Sequence, residues 1–147
     1  MYKHILLPTD GSPLAREAIA AGLKLAKAVG ARVTGFYAAP PATPIEYRGF
    51  LPVGYRDPAE RARLIEEACE RHLAVIEKAA RAAGVRYSLD HATSDFPAEA
   101  IVAAARKNKC DLIFMASHGR HGRKASMLGT QTQKVLSESK VPVLVHR

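Results

Sequence analysis

The chain has 147 residues, 48% of them apolar and 24% charged, with a formal net charge of +8. This length suits one domain with an ample core, so residues 1–147 are read as a single domain. No apolar run approaches the ~20 residues of a membrane span, and Met1-Tyr2-Lys3-His4 leads into a strand with no charged-then-apolar leader, from which a cytoplasmic protein is expected. Cys69 and Cys110 are too far apart for a metal pair or a disulfide framework and are read as small buried apolar residues. The positive charge favours anionic partners in general, but it is spread over helix faces beside Glu and Asp.

In chain order, Ile5-Leu6-Leu7 is a short apolar strand running through Pro8 and Thr9 into a turn at Asp10-Gly11. Ser12 suits a helix cap and Pro13 the first helical position. The helix is expected to reach Val29, with Leu14, Ala18, Ala21, Leu25 and Ala28 as its apolar face and Gly30 at its end. Arg32 to Ala38 reads as the second strand. Ala39 to Pro58 carries five prolines and two glycines and reads as a long irregular loop. A helix from Ala59 to Ala83 follows, with Ile65, Cys69, His72, Ile76, Ala79 and Ala83 as its apolar stripe. Val85 to Ala92 alternates apolar and polar residues, the pattern of an edge strand. Ser94 or Asp95 then caps a helix with Pro97 in its first turn, running to Lys107.

Leu112-Ile113-Phe114-Met115-Ala116 has the continuous apolar character of a strand buried on both faces. It breaks at Ser117 into a loop with His118, Gly119, Arg120, His121, Gly122, Arg123 and Lys124, and a helical pattern begins at Gly129-Thr130. Thr130 to Gln133 fits a capping box, and Val141 to Val145 is the last strand, made an edge by Pro142. Strands alternating with helices imply α/β architecture: a parallel sheet, doubly wound, with helices on both faces. The two continuous apolar strands, first and fourth, belong in its middle. If the winding reverses between them, a crevice opens at their C-terminal ends, Thr9-Asp10-Gly11 and Ser117-His118-Gly119.

A strand, a glycine-containing cationic loop and a helix start together make a phosphate cradle: backbone N–H groups approach the anion and the helix end carries partial positive charge. Asp10 could bind a ribose hydroxyl or hold Mg²⁺, or merely shape the turn. No P-loop, dinucleotide fingerprint or nucleophile elbow is present. No aromatic residue interleaves with the basic loop, so nucleic acid is not indicated.

Met115-Ala116-Ser117-His118-Gly119-Arg120, Leu128-Gly129-Thr130, Pro142-Val143-Leu144-Val145 and the opening Ile5 to Ser12 closely resemble the universal stress protein family. The resemblance implies five parallel strands in the order 3-2-1-4-5 and a homodimer through strand 141–146. The ATP-binding members carry Gly-x-x-Gly, nine residues, then Gly-Ser/Thr. Here Gly119, nine residues and Gly129-Thr130 match, and Ala116 replaces the first glycine. By resemblance, Pro8, Thr9, Asp10 and Ala38 would lie near ribose and base. Met115, Ala116, Ser117, His118, Gly119, Arg120, Gly122, Gly129, Thr130 and Gln131 would line the phosphates and ribose. The expectation is an adenine-nucleotide (ATP or AMP) binding stress protein, with Mg²⁺ an accompanying ion at Asp10. It is read as binding rather than catalytic, with a slow ATP hydrolase or a dimeric module without nucleotide as alternatives.

Overall fold

The structure is a computed structural model and describes residues 1–119 and 128–147. Its elements in order are β1 (His4–Thr9), α1 (Pro13–Val29), β2 (Arg32–Ala39), β3 (Ile45–Arg48), β4 (Leu51–Tyr55), α2 (Pro58–Ala83), β5 (Tyr87–Thr93), α3 (Pro97–Lys107), β6 (Leu112–Ala116), α4 (Thr130–Glu138) and β7 (Val143–His146). Five parallel strands form one sheet in the order β5-β2-β1-β6-β7. Counted among these five, that is the expected 3-2-1-4-5, with β1 and β6 central.

The strand periodicity divides the core into two layers. Ile5, Leu7, Val33, Tyr37, Leu112 and Phe114 face α1 and α2, while Leu6, Phe36, Ile113 and Met115 face α3 and α4. Cys69 belongs to the first layer and Cys110 to the second, both as free, buried thiols. Burial raises both thiols, that of Cys110 to about 11, which disfavours the reactive thiolate.

The helix boundaries follow local chemistry. Ser12 Oγ accepts from Ala15 N–H at 3.2 Å to cap α1, and Asp57 accepts from Glu60 N–H at 2.8 Å to cap α2. Gly30 and Gly84 close these helices with φ of 72° and 69°, left-handed backbone that glycine adopts without strain.

Four expectations are corrected. The buried stripe of α1 is Ala15, Ala18, Ile19, Gly22, Leu23 and Ala26; Leu14, Ala21 and Leu25 flank it and Ala28 is exposed. The helix turns this way because Gly22 lets its backbone settle on Leu7 and Phe114: a Cβ at 22 would stand 2.5 Å from Leu7 Cδ2. Residues 39–58 are not wholly irregular, since β3 and β4 form an antiparallel hairpin within them. Its residues are exposed on both faces, so burial wrote no alternation into the sequence. The residue capping α3 is Phe96, neither Ser94 nor Asp95; Ser94 Oγ instead accepts from Phe96 N–H at 3.0 Å in a tight turn. Finally, α4 is initiated by Gly129, so Thr130 is its first helical residue and the capping box does not form.

At the N-terminal end of the sheet, Asp111 joins the two central strands. Its carboxylate accepts from Lys3 and His4 N–H at 2.9 and 3.0 Å, and its own N–H donates to His4 C=O at 2.9 Å. At the other end the strands separate. The β1–β2 ladder runs to Thr9 opposite Tyr37, but the β1–β6 ladder stops at Leu6 opposite Ile113. Pro8, with no N–H to donate, lies in the stretch β6 no longer pairs.

Candidate functional site

The chain leaves β1 toward β2 and β5 on one side, then returns through α3 to β6 and β7 on the other. The winding therefore reverses between β1 and β6, and the crevice lies beyond their C-terminal ends. Two turns form its floor. In the first, Gly11 N–H donates to Thr9 Oγ1 at 3.0 Å, and Ser12 N–H donates to Asp10 Oδ1 at 2.9 Å. Gly11 has φ 81°, so glycine suits this turn. One oxygen of Asp10 is thereby fixed. The other, Oδ2, lies against Gly119: a Cβ built on Gly119 would collide with it.

In the second turn, Ser117 N–H donates to His146 C=O at 2.8 Å, and Ser117 C=O accepts from Gly129 N–H at 2.7 Å. This last bond draws the start of α4 down onto residues 117–119. A Cβ on Gly129 would meet Ser117 O at 3.2 Å and His118 Cα at 3.3 Å, so glycine gives the closest approach without displacing this backbone. No side chain caps α4. Thr132 Oγ1 donates to Ala116 C=O at 2.9 Å, a second tie between helix and strand that the sequence did not reveal. Its signal was the hydroxyl two residues past the helix start, which the capping-box reading absorbed.

Of the sequence-predicted site residues, the structure brings Thr9, Asp10, Ser117, His118, Gly119, Gly129 and Thr130 to this crevice. Pro8 and Ser117 are buried, and Ser117 Oγ lies 2.9 Å from His118 Nδ1. The Met115 side chain packs in the α3–α4 layer, and the Ala116 methyl in the α1–α2 layer. Ala38 is half-buried near the end of β2, opposite Ala92. Gln131 turns its Oε1 to Ala98 N–H at 3.1 Å, binding α4 to α3. Arg120 and Gly122, with His121, Arg123, Lys124 and Ser126, lie outside the described residues. No group of three or more His, Cys, Asp or Glu side chains is placed to hold a metal among the described residues.

His4 and His72 are packed within the fold. His4 is buried, its Nε2 2.7 Å from Thr34 Oγ1, which lies 2.8 Å from Ser88 Oγ. Burial holds the His4 imidazole below its usual range, Arg32 adds to this, and Asp111 partly offsets it. His72 is half-buried with its ring 4.6 Å from that of Tyr37.

A doubly wound five-stranded parallel sheet, with glycines and a helix start at its switch point, places the chain among the Rossmann-like α/β folds. The chain belongs to the universal stress protein family, whose model matches residues 1–147. It is 36% identical over 151 residues to a universal stress protein of Thermus aquaticus, covering 100% of each chain. It is 31% identical over 150 residues to one of Methanocaldococcus jannaschii, covering 99% of this chain and 82% of the relative. Among solved structures, the hypothetical protein MJ0577 superposes with a TM-score of 0.76 at 26% identity, over 99% of this chain and 95% of that one. A universal stress protein in complex with cAMP shares the fold, with a TM-score of 0.73 at 21% identity over 99% and 97% of the two chains. No helix among the described residues is long and apolar enough to cross a membrane.

Proposed function

We propose that the crevice between β1 and β6 binds an adenine nucleotide, ATP or AMP, and that binding rather than turnover is its task. The observation that carries this reading is the apposition of the Asp10 carboxylate and Gly119 beside the side-chain-free start of α4. The two glycines let the Asp10 carboxylate and the start of α4 come close to residues 117–119. Amides of residues 119, 130 and 131, with the positive end of α4, would hold phosphate, while the Gly129 N–H stays on Ser117 C=O. Asp10, turned by Ser12 N–H, would take ribose hydroxyls or a Mg²⁺ carried in with the phosphates, and the backbone of Ala38 would meet the base. The methyl of Ala116 packs toward α1 and α2, which supports tolerance of alanine at that position. The crystallised cAMP complex of a protein with this fold agrees with the reading.

Ser117 and His118 form a hydroxyl–imidazole pair, but Ser117 is only 2% exposed, which supports binding over hydrolysis. The same reading includes a cytoplasmic homodimer that pairs β7 with its symmetry mate. Leu144 is 38% exposed on that edge strand, and among the described residues the outer edge of β7 has no neighbour in the sheet. The test is mass spectrometry of small molecules released on denaturing the purified protein, with calorimetric titration of ATP, ADP and AMP. Saturable binding of one adenine nucleotide per chain is expected. No released nucleotide and no binding heat from any of the three would overturn the reading.

A further inference from the structure

The β3–β4 hairpin presents Ile45, Tyr47, Phe50, Leu51, Val53 and Tyr55 to solvent, Phe50 being fully exposed. Two strands alone are marginal in water, and so large an apolar display on a detached arm marks an interface. The arm is stiffly mounted: Arg56 N–H donates to Pro44 C=O at 2.7 Å across its base, and Asp57-Pro58 starts α2 directly. Among the described residues it packs chiefly on itself.

A groove of about 660 Å³ lies elsewhere, between α2 and the edge strand β5. Ile65, Leu73 and Leu89 give it an apolar floor, and Glu66, Glu70 and Glu77 an acidic rim. This is a negative patch on a chain of net charge +8. Glu66 and Glu70 form no ion pair among the described residues, and Glu77 has only the exposed Arg81 at 3.7 Å. At the hairpin tip Arg48, likewise without an ion pair among the described residues, stands beside Phe50 and Leu51. The arm is thus apolar with a cationic tip, and the groove is apolar with an anionic rim.

We infer that the hairpin of one chain docks in the α2–β5 groove of a second copy, Phe50 and Leu51 on its floor and Arg48 on its glutamate rim. A two-fold axis makes the exchange reciprocal and closed. The groove runs along α2 from Ala62 to Glu77, ~22 Å at the rise of a helix, and a five-residue hairpin strand spans ~17 Å, so one arm fills most of it. This interface is separate from β7, which lies at the opposite edge of the sheet.

The test mixes two full-length chains in a Cys69→Ala background, one carrying Phe50→Cys and the other Ala74→Cys, both exposed positions, and follows disulfide formation under mild oxidation. A mixed dimer, linked between the two introduced thiols, is expected. Glu66→Lys with Glu70→Lys, on the exposed face of α2, should cut its yield at least tenfold with unchanged circular dichroism. Leu144→Arg should leave it unaltered. Absence of the mixed dimer would overturn the inference, as would a yield indifferent to the two lysines. A chain carrying both Phe50→Cys and Ala74→Cys that closes at monomer mass would overturn it too, by placing the arm on its own groove.

Discussion

The carboxylate of Asp10 occupies the place a β-carbon on Gly119 would take, across the gap where β1 and β6 stop pairing, although the two residues are separated by most of the chain. Any β-carbon at 119 must move that carboxylate. Gly119→Ala is therefore expected to lower adenine-nucleotide affinity by at least ~10-fold, or ~1.4 kcal/mol. Thermal unfolding should be little changed, because Gly119 is exposed at the rim. Calorimetry beside a melting curve checks both halves.

Asp10 has two separable tasks. Its Oδ1 holds the Ser12 N–H in the turn that begins α1. Asp10→Ala should cost ~0.5–1.5 kcal/mol of stability along with ligand affinity. Asp10→Asn keeps an acceptor for Ser12 and should retain stability, while losing affinity and any Mg²⁺ dependence of binding. Urea titration of the two variants separates the effects.

The sheet itself can be tested away from the site. A Cβ on Gly35 would lie 2.8 Å from Ile76 Cγ2 and 2.9 Å from its Cδ1, in the fully buried contact of β2 with α2. Gly35→Ala should destabilise by ~1–3 kcal/mol through overpacking. Ile76→Ala alone should cost ~2–5 kcal/mol through the cavity it leaves. The double variant should be clearly more stable than the sum implies, because the new methyl occupies part of that cavity. Strict additivity in denaturant titrations would contradict this packing.

Acid should weaken the fold in two stages. The folded pKa of His4 is depressed below 6.5 by burial foremost, so an unfolded chain takes up that proton more readily. Its contribution is complete above pH ~6.5 and is lost as pH falls through the lower folded value. For Asp111, burial raises the pKa, but the N–H bonds from Lys3 and His4 outweigh it and leave the carboxyl below 3.8. Its contribution is lost only in more acidic solution, as pH falls below 3.8 and through the folded value. Unfolding free energies across pH 7.5 to 3, for the wild type and His4→Asn, should show the first stage vanish in the variant and the second remain.

How much of this was legible in the sequence depends on what each residue faces. Leu6 and Ile113 are fully buried within strands covered on both sides, so their runs are uniformly apolar and read directly as the centre of the sheet. Tyr87 to Thr93 alternates because one edge strand meets solvent, and it too read correctly. The hairpin did not, since nothing buries Tyr47 or Leu51 and no periodic pattern was imposed. At the site, the spacing of Gly119 and Gly129 was visible, but its reason was not. Only the fold reveals that one glycine faces the Asp10 carboxylate and the other the Ser117 carbonyl. Gln131 is placed at the phosphates by resemblance; its bond to Ala98 N–H shows a side chain engaged with α3.

Nucleotide binding in the crevice depends most directly on Gly129, where the chain of α4 passes within contact of Ser117 and His118. Calorimetric titration of ATP and AMP into the wild type and into Gly129→Val, with folding of both verified by circular dichroism, is the decisive measurement. Saturable binding of one nucleotide per chain is predicted for the wild type and none for the variant. Equal affinity in the two proteins, or no binding in either, would contradict the proposed site.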